Sequence, residues 1–467
     1  MRDFLFHFLN VVSLFFFCYL ALYATYLFLS VTIGAWNLYR QERMRSIHNE
    51  VKHPYYFPVS ILVPAHNEAV TIVDCIQSLL ELDYKLYEII IIDDGSTDAT
   101  PQVLVNHYQM YAVDRPVRRV VPCADPIAIY ESVSEKVKIT LIQKKKGGKG
   151  DALNMGINAS SYPYILCIDA DSLLQRDTLE RIAQPAMEDE TVIAVGGLIR
   201  VAQCIQLDDG NVIHYHLPWD LLTSMQVVEY DRAFLASRIL MDEFNGNLII
   251  SGALGLFRKD VVVAAGGYST NTIGEDMELA VKLHSFCRSN SIPYKMRYEP
   301  NAVCWSQAPS SMKDLKTQRR RWHLGMLQTL LKHRYMFLNR QYGTVGTLSY
   351  IYFLLYELFS PLIQIIGWIS MILAVWVGIL NFPFMVSFYL LYAFYGAILT
   401  ITAFYQRIYT QNLQVSGEDL LKASVVCLVE SIFFRPVLEF VRLTAFIGQR
   451  KSGTQWGYIQ RHKQKRL

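Results

Sequence analysis

Charge vanishes from this chain twice, and the two apolar blocks bracket a long polar middle. From Phe4 to Asn37 there is no Asp, Glu, Lys or Arg. As a helix that run would span ~51 Å, more than one ~30 Å hydrocarbon core and too little for two crossings and a turn. One crossing is the economical expectation. A signal peptide is disfavoured, because the n-region is barely charged and the apolar stretch is too long. Arg40, Arg43 and Arg45 follow at once. They predict a cytoplasmic end here and an N-terminus outside. The second block, Thr344 to Phe404, carries a single charge, Glu357, with breaks at Pro361 and Asn381-Phe382-Pro383. It predicts an interfacial or membrane-entering helix up to about Ser360, then crossings over about Leu362–Leu380 and Phe384–Tyr405.

A third stretch, Leu420 to Ile447, is apolar in background but holds Lys422, Glu430, Arg435, Glu439 and Arg442. Each charge at the centre of a lipid-exposed helix would cost roughly 2.5–3.5 kcal/mol. The stretch is therefore expected in the interface or shielded within the bundle. That gives three crossings, or five if this stretch forms a pair, and keeps the basic tail from Arg450 to Arg466 cytoplasmic.

Between the apolar blocks, strand-like and helix-like patterns alternate. Val59–Val63, Glu88–Ile92, Val137–Ile142 and Tyr164–Ile168 read as short buried strands, and Glu68–Leu80 reads as a helix. This alternation predicts a doubly wound α/β sheet, whose ligands bind outside the carboxyl ends of the strands. Ala112–Glu135, with Pro116, Pro122 and Pro126, reads as an insertion loop of no legible role.

Composition narrows the class. Of 467 residues 52% are hydrophobic and 18% charged, too apolar for a wholly soluble protein and too polar for an all-membrane one. The 44 basic and 41 acidic residues nearly cancel, so a nucleic-acid partner is not expected. Eight cysteines without a C-x-x-C argue against a zinc site or a disulfide framework.

Candidate chemistry sits at the strand ends. Asp169-x-Asp171 follows Tyr164–Ile168, where two carboxylates can hold a hard divalent cation that also grips phosphate oxygens. The bland alternative is a pair of turn acids or a helix cap. Asp93-Asp94-Gly95-Ser96-x-Asp98 also ends a strand, with Asp98 expected as a cap and Asp94 facing the cleft. Lys144–Gly150 is rich in Lys and Gly but is no P-loop, since Asp151 stands where the hydroxyl belongs. It reads as a basic loop near a nucleotide or as a solvated charge run. Gly274-Glu275-Asp276 opens a helical pattern, so Asp276 is either a helix-end acid or a general base. Gln318-Arg319-Arg320-Arg321-Trp322 puts cations beside an aromatic plate just before the second apolar block. A diphosphate clamp with a stacking face fits this pattern, and so does a topology signal.

In this order these segments, together with Pro64-Ala65-His66-Asn67-Glu68 and Lys149-Gly150, resemble those of processive family-2 glycosyltransferases. These are the membrane synthases of cellulose, chitin, hyaluronan and bacterial poly-N-acetylglucosamine. The resemblance is close over about Val59–Trp322. It implies an α/β GT-A (Rossmann-like) cytoplasmic catalytic domain joined to α-helical transmembrane segments, a UDP-sugar donor, Mg2+ or Mn2+, and inversion in one displacement. By the same resemblance Glu68 and Asp94 contact the nucleoside, Lys149 lies near the uracil, and Asp169 and Asp171 bind donor and metal. Asp276 is then the general base, Gln318 and Arg321 hold the acceptor end and the diphosphate, and Trp322 stacks on the acceptor sugar. Arg319 and Arg320 are left as interfacial anchors. Thr454-x-Trp456-Gly457 resembles a gating motif that follows the last membrane segment in several such synthases.

Two departures bear on substrate. His66 stands where many members have an aromatic residue, and Ile249-Ile250-Ser251-Gly252-Ala253 stands where cellulose synthases have Phe-Phe-Cys-Gly-Ser. No fused cyclic-dinucleotide sensor is expected.

The expected organisation is an N-terminal helix over 1–40, the GT-A domain over 54–317 and interfacial helices over 318–343. Membrane and interfacial helices over 344–447 and a basic cytoplasmic tail over 448–467 follow. The expected partners are a UDP-sugar, a growing polysaccharide and membrane lipid, with room for accessory export subunits. The expected activity is processive polymerisation of UDP-Glc or UDP-GlcNAc with export of the polymer across the plasma membrane. The competing readings are a single sugar addition to a lipid and a non-enzymatic membrane scaffold.

Overall fold

A computed structural model describes residues 2–48, 56–132, 137–208, 210–410 and 415–446. The polar middle forms β1 (Val59–Ala65), β2 (Tyr87–Asp94), β3 (Met110–Ala112), β4 (Pro126–Ser132), β5 (Ile139–Lys144) and β6 (Tyr164–Cys167). The strands β7 (Leu173–Leu174), β8 (Val192–Val201), β9 (Ile205–Asp208), β10 (Asn211–Tyr215), β11 (Gly255–Arg258) and β12 (Lys295–Ser306) follow. All but β9 and β10 join one sheet in the order β3-β4-β5-β2-β1-β6-β11-β8-β12-β7. The parallel block β5-β2-β1-β6 is the Rossmann-like part, and its carboxyl ends lie on one edge.

The sheet is mixed rather than purely parallel. Strand β11 runs antiparallel to both β6 and β8, and β4 runs antiparallel to β5. The end of the expected insertion loop is therefore strand: β4, Pro126–Ser132, lies between β5 and the edge strand β3, and 113–125 is irregular. The alternation of apolar residues fixes the two faces. Ile61, Val63, Ile89 and Ile91 fill one core layer, and Leu62, Ile90, Ile92 and Ile142 fill the other. All eight are fully buried, at roughly 1.5–3 kcal/mol of transfer free energy each.

Among the described residues three helices are long and apolar enough to cross a membrane: Phe4–Arg40, Ser360–Val377 and Phe382–Gln406. The apolar segment Val345–Leu358 is shorter. The charged stretch after them folds as Gly417–Val429, a π-helical turn Glu430–Phe434 and Arg435–Leu443. Its charges turn inward. Glu430 is fully buried and receives Arg232 and Arg435, at 3.3 and 3.0 Å. Ser360 donates to Glu439 at 2.8 Å, and Arg442 pairs with Glu439 at 3.0 Å.

Candidate active site

The loops at the carboxyl ends of β1 and β2 are tied together by their own polar residues. Asn67, in the left-handed region at φ 59°, donates its backbone N–H to Ser96 Oγ at 2.9 Å. Its Oδ1 accepts from Thr97 N at 2.8 Å. His66 Nδ1 lies 3.0 Å from the Asp94 carbonyl, and Nε2 lies 2.9 Å from Lys146 Nζ. A lysine ammonium can only donate, so Nε2 accepts and Nδ1–H donates. Asp98 Oδ1 accepts from Thr100 N at 2.9 Å, satisfying a donor at the start of the following helix.

Asp94 is the anchor of the basic loop. Its carboxylate accepts from Lys144 Nζ at 2.6 Å, Gly147 N at 2.8 Å and Gly148 N at 2.7 Å. Lys144, fully buried, also reaches Asp151 at 2.6 Å. The lysine run is thus no solvated charge run at this point. A side chain at Gly147 would collide with Asp151 Oδ2 at 2.6 Å, which is why glycine turns the loop here.

Lys149 begins the next helix (Lys149–Ala159), and its ammonium sits among acids. Nζ lies 2.5 Å from Asp169 Oδ1 and 3.6 Å from Glu275 Oε1. Burial alone would favour the neutral amine. The Asp169, Glu275 and Asp276 carboxylates outweigh it and hold the pKa above the usual lysine range. Burial pushes the Glu275 carboxyl the other way, up to about 7, against the pull of Lys149. Gly252 passes close by: a Cβ there would meet Lys149 Nζ at 2.7 Å. Its N–H donates to Asp276 Oδ2 at 3.3 Å, while Met277 N donates to Oδ1 at 2.8 Å.

The helix Met312–Lys332 crosses the start of the helix Glu275–Ser289 at a glycine pair. A Cβ on Gly325 would stand 2.8 Å from Gly274 Cα, and one on Gly274 would stand 2.9 Å from Gly325 Cα. Backbone-to-backbone contact here brings Asp276 toward Gln318, Arg321 and Trp322. Gln318 Oε1 is buried with no hydrogen-bond partner among the described residues, an acceptor suited to a hydroxyl. Trp322 is 45% exposed, and Arg321 is half-buried. Arg319 departs from the expected interfacial anchor. It is 5% exposed and makes a bidentate pair with Glu229, at 2.8 and 2.7 Å, because the helix turns it inward.

Glu68, Asp94, Lys149, Asp169, Asp171, Asp276, Gln318, Arg321 and Trp322 all line one cavity of about 1120 Å³. The structure therefore assembles every nominated residue except Trp456, which lies outside the described residues. Lys149 is on the acids of Asp169 and Glu275. Glu275 and Glu229 were not nominated; their acidity was visible in the sequence, their partners were not. The cavity continues past Trp322 between the apolar helices, along Tyr19, Tyr23, Tyr352, Tyr356, Tyr392 and Glu357.

No group of three or more His, Cys, Asp or Glu is placed to hold a metal among the described residues. Asp169 and Asp171 share the cavity, and Asp169 keeps 31% of its side chain exposed. Two carboxylates suit Mg2+ or Mn2+ that completes its shell from a diphosphate and water. The residues fit the ion in that form.

The glycosyl transferase family 2 profile matches residues 60–262, and the glycosyl transferase family group 2 profile matches residues 164–405. A poly-beta-1,6-N-acetyl-D-glucosamine synthase from Staphylococcus epidermidis is 29% identical over 293 residues, covering 62% of this chain and 59% of that protein. A protein of the same name from Staphylococcus aureus is 30% identical over 276 residues, 59% of this chain and 56% of its own. The matches thus span less than two thirds of these relatives' length. A mannosyltransferase from Pyrobaculum calidifontis, solved with GDP-mannose and Mn2+, is similar over 89% of this chain and 99% of its own. Its TM-score of 0.50 at 17% identity shows a shared fold, the GT-A (Rossmann-like) α/β architecture. With the group profile matching just over half of its residues, the chain belongs to glycosyl transferase family group 2.

Proposed function

We propose that this chain is an inverting, processive glycosyltransferase that polymerises a UDP-sugar and passes the product through its own helical bundle. The observation that carries this reading is the single cavity that joins the donor-side acids to the space between the apolar helices. Between UDP-Glc and UDP-GlcNAc, the names of the staphylococcal relatives favour UDP-GlcNAc. The product is then a β-linked extracellular polysaccharide.

Each residue takes a defined part. Glu68, His66 and the Asp94-anchored loop receive the nucleoside. Lys149 holds Asp169 beside the donor, and Asp169 and Asp171 would hold Mg2+ or Mn2+. When bound, that ion neutralises charge on the diphosphate. Trp322 stacks on the acceptor sugar and Gln318 accepts from one of its hydroxyls. Asp276 takes the proton from the attacking hydroxyl while that oxygen forms the new bond to C1. The electron pair of the broken C1–O bond leaves on UDP, where Arg321 stabilises it. The two hydrogen bonds from the Gly252 and Met277 N–H groups hold the Asp276 carboxylate in its orientation.

The organisation follows from this chemistry. A membrane helix over 1–40, a cytoplasmic catalytic domain over 54–317 and helices from 318 to 447 would keep the donor on the cytoplasmic side. Arg40 and Arg43 beyond the first apolar run support that orientation. Purified protein given UDP-Glc, UDP-GlcNAc, UDP-GlcA or UDP-Gal should release UDP with UDP-GlcNAc above the others. Release with none of the four would overturn the reading.

A further inference from the structure

At the cavity's catalytic end the large aromatic Trp322 stands 45% exposed, and its plane is held from one side. The holder is Arg319, whose guanidinium carbon lies 4.7 Å from the Trp322 ring centroid and 5.9 Å from that of Tyr230. Three residues of spacing on one helix put these two side chains on the same face. Arg319 is in turn clamped by both oxygens of Glu229, on the neighbouring helix Leu221–Arg232, at 2.8 and 2.7 Å. Glu229 and Arg319 are 6% and 5% exposed, so the pair is desolvated and bidentate.

The clamp has a second end. One turn beyond Glu229, Arg232 donates to both oxygens of Glu430 at 3.3 Å, and Arg435 closes on the same carboxylate at 3.0 Å. The chain is π-helical immediately after Arg232, at Ala233–Ser237, and again at Glu430–Phe434. Such turns re-aim side chains within a helix. One helix thus seats Trp322 at its Glu229 turn and the helical bundle at its Arg232 turn.

We propose that Arg319, clamped by Glu229, is a positioning residue that fixes the Trp322 plate in register with Asp276 and with the mouth of the membrane-side cavity. This rests on Trp322 being the acceptor platform. A lysine cannot reproduce the role: it lacks the planar fork that grips Glu229 and the flat face that lies over the indole.

The test compares wild type with Arg319→Lys and Glu229→Gln, in full-length protein in detergent or nanodiscs. Arg319→Lys should raise the KM for an oligosaccharide acceptor by roughly ten-fold while the KM for UDP-GlcNAc stays within about two-fold, and it should shorten the polymer. Iodide quenching of Trp322, isolated as the difference from the Trp322→Phe protein, should increase in both variants. Unchanged acceptor KM, polymer length and quenching in a folded Arg319→Lys protein would overturn the proposal. Equal damage to donor and acceptor KM would overturn it also. If wild type makes no polymer, the functional reading fails, and the quenching difference still decides the positioning claim. If Arg319→Lys does not fold, Glu229→Gln, which keeps one acceptor for the fork, is read by the same measurements.

Discussion

A few side chains in the cavity have surroundings that set what they can do. Asp276 receives two backbone N–H groups and lines the cavity with the donor-side acids. Asp276→Asn should keep UDP-sugar binding, measured by calorimetry, and lower kcat by roughly 10²–10⁴-fold. Full turnover would remove the base role. Trp322→Ala should leave the KM for the donor unchanged and raise that for the acceptor, read by initial rates with a defined oligosaccharide. Glu275 gives a pH signature, because its carboxyl is pushed up to about 7 by burial. A raised carboxyl pKa favours the protonated group in the fold. Its stabilising share is complete below the ordinary carboxyl range, ~4.3, and is lost as pH rises through about 7. The melting temperature should therefore fall as pH rises from ~4.3 to about 7 and level off above it, and Glu275→Gln should flatten that slope.

The elements differ in how far the sequence exposed them. Strands β1, β2 and β6 were legible as short unbroken apolar runs, and those of β2 and β6 run into acids, as strand ends at a cleft do. That logic singled out Asp94, Asp169 and Asp171, and all three line the one cavity. It could not show that Lys144 and Arg319 are buried, since a run of like charges reads as solvated. Their acidic partners, Asp151 and Glu229, come from a following helix and from a point far up the chain. The Ala112–Glu135 segment is irregular over 113–125, where Pro116 and Pro122 lie, but hides β4, whose Pro126 is its first residue, a position that tolerates proline. Least visible was the Gly274–Gly325 crossing, as two glycines 51 residues apart carry no pattern. Gly325→Ala puts a methyl 2.8 Å from the Gly274 Cα and must separate the two helices. The expected result is a loss of roughly 1–3 kcal/mol in urea unfolding and a kcat decrease larger than the change in donor affinity. Wild-type kinetics in that variant would free the active site from this contact.

At the scale of the whole molecule, the catalytic sheet and the apolar helices share one internal space. Ion pairs such as Arg232–Glu430 and Arg442–Glu439 face that space, so the helical bundle presents polar and tyrosine surfaces inward and aliphatic and aromatic surfaces outward. Sugar hydroxyls and ring faces match such an interior, while an acyl chain does not. We propose that the chain synthesised at Asp276 continues into this space. The most direct test supplies radiolabelled UDP-GlcNAc to the outside of inverted membrane vesicles bearing only this protein, then sizes and locates the product. Long polymer protected inside the vesicles from added glycosidase is the predicted result. Label confined to short external oligosaccharides, or extracted with the lipid, would contradict it.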